Sequence, residues 1–508
     1  MSPAEANNYG ADAGRQITPR LDAAGTVDDV STTDSEDDGG YQPLWVKLAC
    51  ILVDFLTQMY DQVRIVPEIA LFERSICLSY YSAHDPSVIG PGQLVPEFLC
   101  KIPPVQQKLA HLRGWKAFYD GLAVLLTAIP MGILADRFGR KKIIASSIAG
   151  PIAATSWILL VGLGGLGGGK ITNIWWSSLF FLFGNLSSAN ATLYAVAADS
   201  CPPSKRSQYF YYLYSTFLVC ELVAPALASV TINKQLLIPF GVGLGCLVLC
   251  FPILAIMPET HKRHKKPLPK SRADGQTDDH DPEAAPLISR TPGATSNSPS
   301  FLSILKQRNL IIAFIVSFVG AFRIATVSVL LQYTAARFGW PISRTAILVS
   351  AIAAMNIVLF LGLLPQVIAY LTTKRHIPPQ LIDYQVVRAS LCILALGALL
   401  MGLAPSMYML VPAVLLFASG YGTRVAVLSI VSSWTTDNVR ARVFSIAQLL
   451  ENTGRMASDP MLLRIFAASI PLGGFWQGLP FFVAASCFGA GALAWRFVRV
   501  EPRSQQRG

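Results

Sequence analysis

About a dozen long apolar runs, separated by short polar loops, most strongly limit how this chain can fold. Runs such as Phe240–Met257 and Ser390–Ala404 are apolar over most of the thickness of a lipid bilayer. One soluble core could absorb a few such runs, but not a dozen of them. Only 14% of the residues are charged, against roughly a quarter in soluble domains. The sequence therefore predicts an all-α membrane protein.

The apolar runs form two sets of six, which predicts twelve transmembrane helices in two six-helix halves. The first six spans are expected near residues 44–66, 113–135, 143–165, 173–199, 208–231 and 236–257. The second six are expected near residues 308–334, 343–370, 386–405, 408–434, 443–470 and 474–498. The predicted organisation is an acidic disordered tail (1–43), an N-terminal half (44–260) with a long external loop (67–112), a disordered linker (261–305), a C-terminal half (306–500) and a tail (501–508).

Basic residues are concentrated in the loops on one side of these predicted spans. Arg137, Arg140, Lys374 and Arg375 are examples, whereas the short loops on the opposite side hold few basic residues. Because cytosolic loops carry an excess of Lys and Arg, we place both termini in the cytosol and residues 67–112 outside it.

The formal net charge of +11 could also indicate nucleic-acid binding. No zinc-ligand spacing, RNA-binding signature or sustained basic helix accompanies the charge. The loops between spans account for the excess, so we expect the lipid bilayer as a partner and no nucleic acid.

Between spans two and three stands the segment Gly132-Ile-Leu-Ala-Asp136-Arg137-Phe-Gly139-Arg140-Lys141-Lys142. This segment resembles the signature of the major facilitator superfamily, G-x-x-x-D-R-x-G-R-K/R-x, with every specified position filled. An ordinary basic loop is the alternative interpretation. The resemblance covers about residues 44–500 and implies secondary transport by alternating access between two six-helix halves.

The residue types of this motif suit a gating role. Gly132 removes a side chain where helices pack closely, and Gly139 allows a tight turn. Asp136, at a cytosolic helix end, can face the positive N-terminal end of another helix. The basic residues of the motif can pair with carboxylates or lipid phosphate, and they are Arg137, Arg140 and Lys141. In the family this cluster latches the two halves in the outward-open state, a role that the resemblance assigns to Asp136.

Two further segments bear on the branch of the family. The predicted external loop contains Phe-Glu73-Arg74-Ser-Ile-Cys77 and Glu97-Phe-Leu-Cys100-Lys101. These segments resemble fungal transporters related to the proton-coupled folate and thymic stromal cotransporter branch. Span five contains Cys220–Ser229, which keeps the proline of the antiporter pattern G-x-x-x-G-P-x-x-G-G but not its glycines. Efflux therefore remains an alternative function.

The resemblance implies transport of a small organic solute, which we expect to be anionic and proton-coupled. Export of a secondary metabolite or drug by proton antiport is the alternative, and a non-transporting solute receptor is an alternative of another class. No Walker loop occurs, so ATP is not indicated. No metalloprotease, nucleophile-elbow or paired intramembrane Asp motif occurs, so we expect no enzyme, cofactor or metal site.

Four ionisable residues fall near mid-membrane when counted along their spans: Asp54, Glu221, Arg323 and Arg424. Each should face a cavity or a partner, because exposure to lipid costs about 2.5–3.5 kcal/mol. We predict that Arg323 or Arg424 holds an anionic substrate by bidentate hydrogen bonds, while Glu221 or Asp54 carries the proton. A permanent salt bridge between the halves is the alternative.

Other polar residues flank these four. A polar stripe at helical spacing consists of Asp54, Gln58 and Asp61. A second set, predicted to neutralise itself along span eleven, consists of Glu451, Arg455 and Asp459. Gly420 and Gly422, beside Arg424, are expected to let a substrate approach the backbone.

Cys77 and Cys100 lie in the predicted external loop, on the oxidising side of the membrane. We predict a disulfide between them, with two unpaired thiols as the alternative. In the linker, Glu283 and the pair Leu287-Ile288 fit an acidic dileucine pattern that would indicate a vacuole. Because such short patterns occur by chance, we expect the plasma membrane, and a monomer.

Overall fold

The structure is a computed structural model. It describes residues 43–92, 94–164, 170–200, 203–259, 307–434 and 437–499. The predicted linker and the two predicted tails lie outside the described residues, apart from residue 43.

Nearly all of the described chain is helical. The helices of the N-terminal half are α1 (Leu44–His84), α2 (Pro103–Phe138), α3 (Arg140–Gly162), α4 (Leu186–Ser200), α5 (Pro203–Ile232) and α6 (Ile238–Ile256). Those of the C-terminal half are α7 (Arg308–Gly320), α8 (Phe322–Phe338), α9 (Ile342–Ile357), α10 (Leu364–Thr373), α11 (Pro379–Leu403), α12 (Met407–Ser419), α13 (Thr423–Trp434), α14 (Asp437–Ser469) and α15 (Leu479–Trp495). A long 3₁₀ helix, Ile171–Leu182, precedes α4, and a π-helical turn, Val358–Leu363, joins α9 to α10.

Helices are the expected architecture here, because a helix satisfies its backbone hydrogen bonds within one segment and needs no water inside a bilayer. Within the described residues, nine helical stretches are long and apolar enough to cross a membrane. The other three predicted spans correspond to α1, to α9 with α10, and to α14. Helices α1 and α14 carry charged residues in their middle turns, so the count of twelve crossings stays a prediction.

The prediction that residues 67–112 form a long external loop is wrong. Helix α1 has 41 residues, which gives a length of about 60 Å, twice the roughly 30 Å of a bilayer core. It continues to His84, and α2 begins at Pro103, so only residues 85–102 connect the two helices. The 3₁₀ turns Pro86–Val88 and Glu97–Lys101 lie in this connection.

The two halves pack through α2 against α14 and through α5 against α9. In the C-terminal half, a buried apolar cluster includes Tyr333, Phe417, Phe466 and Phe481. We call the side on which residues 85–102 lie the loop side, and the opposite side, where α6 ends, the linker side.

Candidate functional site

A cavity of about 460 Å³ lies mainly between α1, α2 and α14, and we call it the first cavity. Its charged lining is balanced, with four acidic and four basic residues: Asp61, Glu68, Asp120, Asp459, Arg64, Arg113, Lys116 and Arg455. Phe72, Phe181 and Phe217 also line it. The cavity therefore offers both charged and aromatic surface to a small molecule.

Four ion pairs among residues of α1 and α2 lie at this cavity, and the Lys116–Glu68 pair joins the two helices. Arg64 Nη1 lies 2.8 Å from Glu68 Oε2, and Arg64 Nη2 lies 3.2 Å from Asp61 Oδ1. Lys116 Nζ lies 2.6 Å from Asp120 Oδ2 and 3.7 Å from Glu68 Oε1. The Lys116 side chain is only 4% exposed, so carboxylates rather than bulk water compensate its charge.

A second cavity of about 260 Å³ adjoins the first, with which it shares Phe217, Asn452 and Arg455 as lining residues. Three arginines but only one acidic residue line the second cavity: Arg323, Arg424, Arg455 and Glu451. This excess of positive charge favours an anionic ligand over a cationic one.

Arg323 is the arginine of the second cavity best placed to receive an anion. Its guanidinium carbon lies 4.0 Å from the centre of the Tyr421 ring, a cation–π contact that leaves the N–H donors at the edge available. Among the described side chains, no carboxylate lies within ion-pair distance of Arg323. The Tyr421 hydroxyl lies 3.1 Å from that of Tyr214 on α5, which links the two halves near mid-depth.

The predicted acidic residues lie outside both cavity linings. Asp54 is fully buried and accepts a hydrogen bond from the Thr216 hydroxyl, while no group of the described residues bonds to its Oδ1. Glu221 is largely buried, and its Oε2 likewise has no partner among the described residues. Arg323 lies close enough for its charge to act on Glu221 across the interface between the halves. Gln58, in contrast, lines the first cavity.

Arg424 lines the second cavity, as expected for a residue that faces a cavity or a partner, but its ion pair with Glu451 was not predicted. Arg424 Nε lies 3.1 Å from Glu451 Oε2, and its Nη2 donates to Gln448 at 2.9 Å. Glu451 is therefore not neutralised along its own helix, because α13 supplies its partner. The remaining pair of that set, Arg455 and Asp459, lies 3.8 Å apart. The Arg424–Glu451 pair also lies within the C-terminal half and does not join the two halves.

Gly420 lines the second cavity and Gly422 does not, and the approach of a substrate to this backbone stays a prediction. A Cβ at Gly420 would lie 2.6 Å from Leu394, and one at Gly422 would lie 3.0 Å from the Ser390 hydroxyl. Both glycines are buried against α11, so their absent side chains allow close helix packing.

The gating motif lies at the end of α2 and the start of α3, on the linker side. Gly139 ends α2 with φ +99°, and Arg137 is exposed. The Arg140 backbone N–H donates to Glu259 Oε1 at 2.9 Å, and Lys141 Nζ donates to the carbonyls of Ala255 and Met257. Arg140 Nη1 also donates to the Ala195 carbonyl. These bonds tie α3 to the ends of α4 and α6, and carboxylate or lipid-phosphate partners for the basic side chains stay a prediction.

Close packing of α2 against α14 occurs nearer the loop side than predicted. A Cβ at Gly121 would lie 3.0 Å from Met456, and one at Gly114 would lie 3.4 Å from Pro460. At Gly132 no described atom lies within 4 Å of such a Cβ. The described parts of α2 and α14 therefore pack closely on the loop side, and the described residues show no such contact at Gly132. The backbone of Asp136 lies in α2, and the gating role predicted for it stays a prediction.

The predicted cysteine pair is joined in the structure. Cys77, on the loop-side part of α1, and Cys100, in the 3₁₀ turn Glu97–Lys101, form a disulfide with a Cα–Cα distance of 5.4 Å. Because this turn directly precedes α2, the disulfide holds the connection against α1. Within the described residues, no group of His, Cys, Asp or Glu side chains could hold a metal ion.

Sequence reasoning missed the ion-pair cluster of Arg64, Glu68, Lys116 and Asp120. A signal existed, because the stripe of α1 continues at Arg64 and Glu68 at helical spacing, and α2 repeats the pattern with Lys116 and Asp120. The first span was predicted to end at residue 66, so the continuation of the polar stripe to Glu68 was not recognised.

Membrane-length helices that enclose a charged cavity between two halves define a membrane transport protein. The model of the Major Facilitator Superfamily matches residues 109–379. An MFS efflux pump of Emericella nidulans, atnC, is 30% identical over 465 residues, covering 89% of this chain and 88% of the relative. The chain therefore belongs to the Major Facilitator Superfamily.

Other relatives agree with this assignment. The efflux pump ustT of Aspergillus flavus is 26% identical, covering 85% of this chain and 84% of the relative. The crystal structure of a D-xylose–proton symporter matches with a TM-score of 0.60 at 11% identity, over 90% of this chain and 98% of that one. The human organic anion transporter MFSD10 matches with a TM-score of 0.52 at 18% identity, over 89% of this chain and 100% of that one.

These findings confirm the predicted superfamily and the prediction of a transporter rather than an enzyme. The two structural matches show the fold alone. The narrower folate and thymic stromal branch stays a prediction.

Proposed function

We propose that this protein exports a small organic anion across the plasma membrane by alternating access, with the proton as coupling ion. In this proposal the chain is a monomer with twelve crossings, and its linker side faces the cytosol. Arg323 binds the anionic group in the second cavity, and the first cavity accommodates the remainder of the molecule.

The observation that carries this proposal is the asymmetric closure around two adjoining cavities. Polar contacts join the halves on the loop side, where Arg113 Nη2 donates to the Ser328 hydroxyl at 2.9 Å. Towards the linker side, no described atom lies within 4 Å of a Cβ placed at Gly132. A transporter open to one side only is one of the states that alternating access requires. The names of the relatives from Emericella nidulans and Aspergillus flavus support the outward direction.

Proton-coupled uptake of an organic anion is the second candidate, and one observation favours it. Arg323, on α8, and Glu221, on α5, lie near each other across the interface between the halves. If an anion occupied Arg323, Glu221 would lose the compensation of its negative charge and would bind a proton more readily. Anion and proton would then be loaded together, as in a symporter.

The test uses purified protein in proteoliposomes of known orientation, with labelled benzoate and a panel of larger labelled aromatic carboxylates. A pH gradient is imposed in each direction, and initial rates are measured. Export predicts that benzoate or a panel member moves from the linker side to the loop side against its gradient when the loop side is acidic. Uptake predicts movement in the opposite direction under the same gradient.

Two variants test the residues. Arg323→Ala should abolish the preference for carboxylates, and Glu221→Gln should flatten the dependence of the rate on pH. Arg499→Ala, outside both cavities, is the matched arginine control. If both variants kept wild-type substrate affinity and pH dependence, the assignment of these residues would be wrong. If no panel member moved under either gradient, an organic anion as substrate would be refuted.

A further inference from the structure

The connection between α1 and α2 contacts the C-terminal half at the start of α9. Glu97 Oε1 accepts a hydrogen bond from the backbone N–H of Ile342 at 2.8 Å. Ile342 is the first residue of α9, where backbone N–H groups lack partners within the helix and the helix dipole is positive. A carboxylate from the N-terminal half thus occupies the N-terminus of a helix in the C-terminal half.

A buried chain of hydrogen bonds makes a second contact beside the first. Lys101 Nζ lies 2.8 Å from Glu73 Oε2 and 2.9 Å from Glu97 Oε1. Gln106 Nε2 donates to Glu73 Oε1, and Gln332 Nε2, from α8, donates to Gln106 Oε1 at 3.2 Å and to the Gln106 carbonyl at 2.8 Å. Glu73, Gln106 and Gln332 are 3%, 0% and 1% exposed.

The directions of these hydrogen bonds depend on one another. An ionised carboxylate only accepts hydrogen bonds, so Glu73 fixes the Gln106 amide with its NH₂ group towards α1. The Gln106 Oε1 atom then faces Gln332 and accepts from it. A buried polar group that loses its hydrogen-bond partner raises the free energy of the protein. Glu73 therefore fixes the orientation of Gln106, and Gln106 fixes that of Gln332.

The disulfide belongs to the same arrangement. The Cys100 carbonyl accepts a hydrogen bond from Gln106 Nε2 at 3.0 Å, and Lys101 follows Cys100 directly. Cys100 is joined to Cys77, which lies one helical turn beyond Glu73 on α1. The N-terminal side of the contact is therefore assembled within its own half and does not require the C-terminal half.

We propose that Glu73, Glu97, Lys101, Gln106 and Gln332 form a latch that holds the two halves together on the loop side, and that the Cys77–Cys100 disulfide positions it. Within the latch, opening on the loop side breaks only the contacts to Gln332 and Ile342. The four latch residues of the N-terminal half stay in place, so the latch closes again without rebuilding its N-terminal part. The inference rests on the alternating access of the proposed function, but not on its substrate, direction or coupling ion.

The test measures access to the first cavity without any substrate. The parent variant keeps Cys77 and Cys100, has every other cysteine replaced by Ala and carries Ile65→Cys, since Ile65 lines the first cavity. A membrane-impermeant maleimide is added to vesicles from the loop side, and the labelling rate is measured. Phe98→Cys, at a position 71% exposed in the connection, reports in separate vesicles which side faces out and that the protein is inserted.

Gln332→Leu and Glu97→Gln should each raise the labelling rate about fivefold to tenfold, as expected when hydrogen bonds across a buried interface are lost. Replacement of both Cys77 and Cys100 by Ser should raise the rate by a similar factor. Matched controls are Gln477→Leu, whose amide bonds within the C-terminal half, and Asp85→Asn, which caps the other 3₁₀ turn of the connection. Both controls should label at the parent rate.

Gln332→Leu changes the C-terminal half and Glu97→Gln changes the N-terminal half. If one of these variants does not reach the membrane, the other is sufficient for the test. Labelling of both at the parent rate would overturn the latch. An equal increase in the two controls would also overturn it, since it would show general loosening. The labelling assay alone decides on the latch, because it is measured without substrate. A failure of the transport assay would count against the proposed function and not against the latch.

Discussion

Replacement of Lys116 by Met should destabilise the protein strongly. Lys116 is the cation that connects Glu68 of α1 to Asp120 of α2, and its side chain is 4% exposed. Its loss leaves two carboxylates without their cation in a region that water reaches poorly. Removal of one partner from a buried ion pair typically destabilises by about 3–5 kcal/mol.

The lower end of that range applies at this site. Glu68 and Asp120 are 13% and 24% exposed and line a cavity, so partial hydration reduces the penalty. Glu68 also retains Arg64 at 2.8 Å, and Asp120 retains the hydrogen bond from Ser178. We therefore expect a loss of about 3 kcal/mol in the free energy of unfolding, which for a chain of 508 residues corresponds to a drop in melting temperature of about 3 °C.

The assay is thermal unfolding of detergent-solubilised protein, followed by the loss of the monodisperse peak in size-exclusion chromatography. Lys108→Met is the matched control, because Lys108 lies on the same helix and is exposed. The double variant Lys116→Met with Asp120→Asn removes one of the two uncompensated charges and should recover part of the loss. Equal melting temperatures for Lys116→Met and Lys108→Met would refute the reasoning.

Three further predictions follow from the motif and the disulfide. Asp136→Asn should lower the transport rate several-fold, in line with a coupling of about 1–3 kcal/mol, and should leave substrate affinity nearly unchanged; a normal initial rate at normal surface expression would reject the gating role. Gly139→Ala should lower the melting temperature, because Gly139 has φ +99° and an added Cβ would lie 2.7 Å from Glu259 Oε2, a strain of about 1–3 kcal/mol; an unchanged value would contradict this account. Cys77 and Cys100 should resist an impermeant maleimide until a reductant is added, and immediate labelling of both would argue against the disulfide.

The sequence was sufficient for the features that depend on local pattern. Apolar runs predict helices because the bilayer requires internal backbone hydrogen bonding. The segment from Gly132 to Lys142 predicted the superfamily that the comparisons confirm. Arg323 and Arg424 were singled out because charge inside an apolar span is expensive, and the structure places both at the second cavity.

The features that the sequence did not predict depend on where helices end and which helices become neighbours. An apolar window ends at the closely spaced charges Asp61, Arg64 and Glu68 of α1, but the helix continues to His84, and Glu68 finds a partner in Lys116 on α2. Arg424 and Glu451 lie on two different helices, so the spacing of residues along α14 could not predict their ion pair. Spacing rules describe one helix at a time and cannot identify a partner on another.

The charge of the substrate and the direction of transport are linked through Arg323 and Glu221. An anion at Arg323 removes charge compensation from Glu221 and so favours proton binding, which loads both species together. Loading of both species together moves anion and proton in the same direction, whereas export against an inward proton gradient requires that they move in opposite directions. If benzoate were exported in exchange for protons, export would stand, but Glu221 could not be the group that carries the coupled proton.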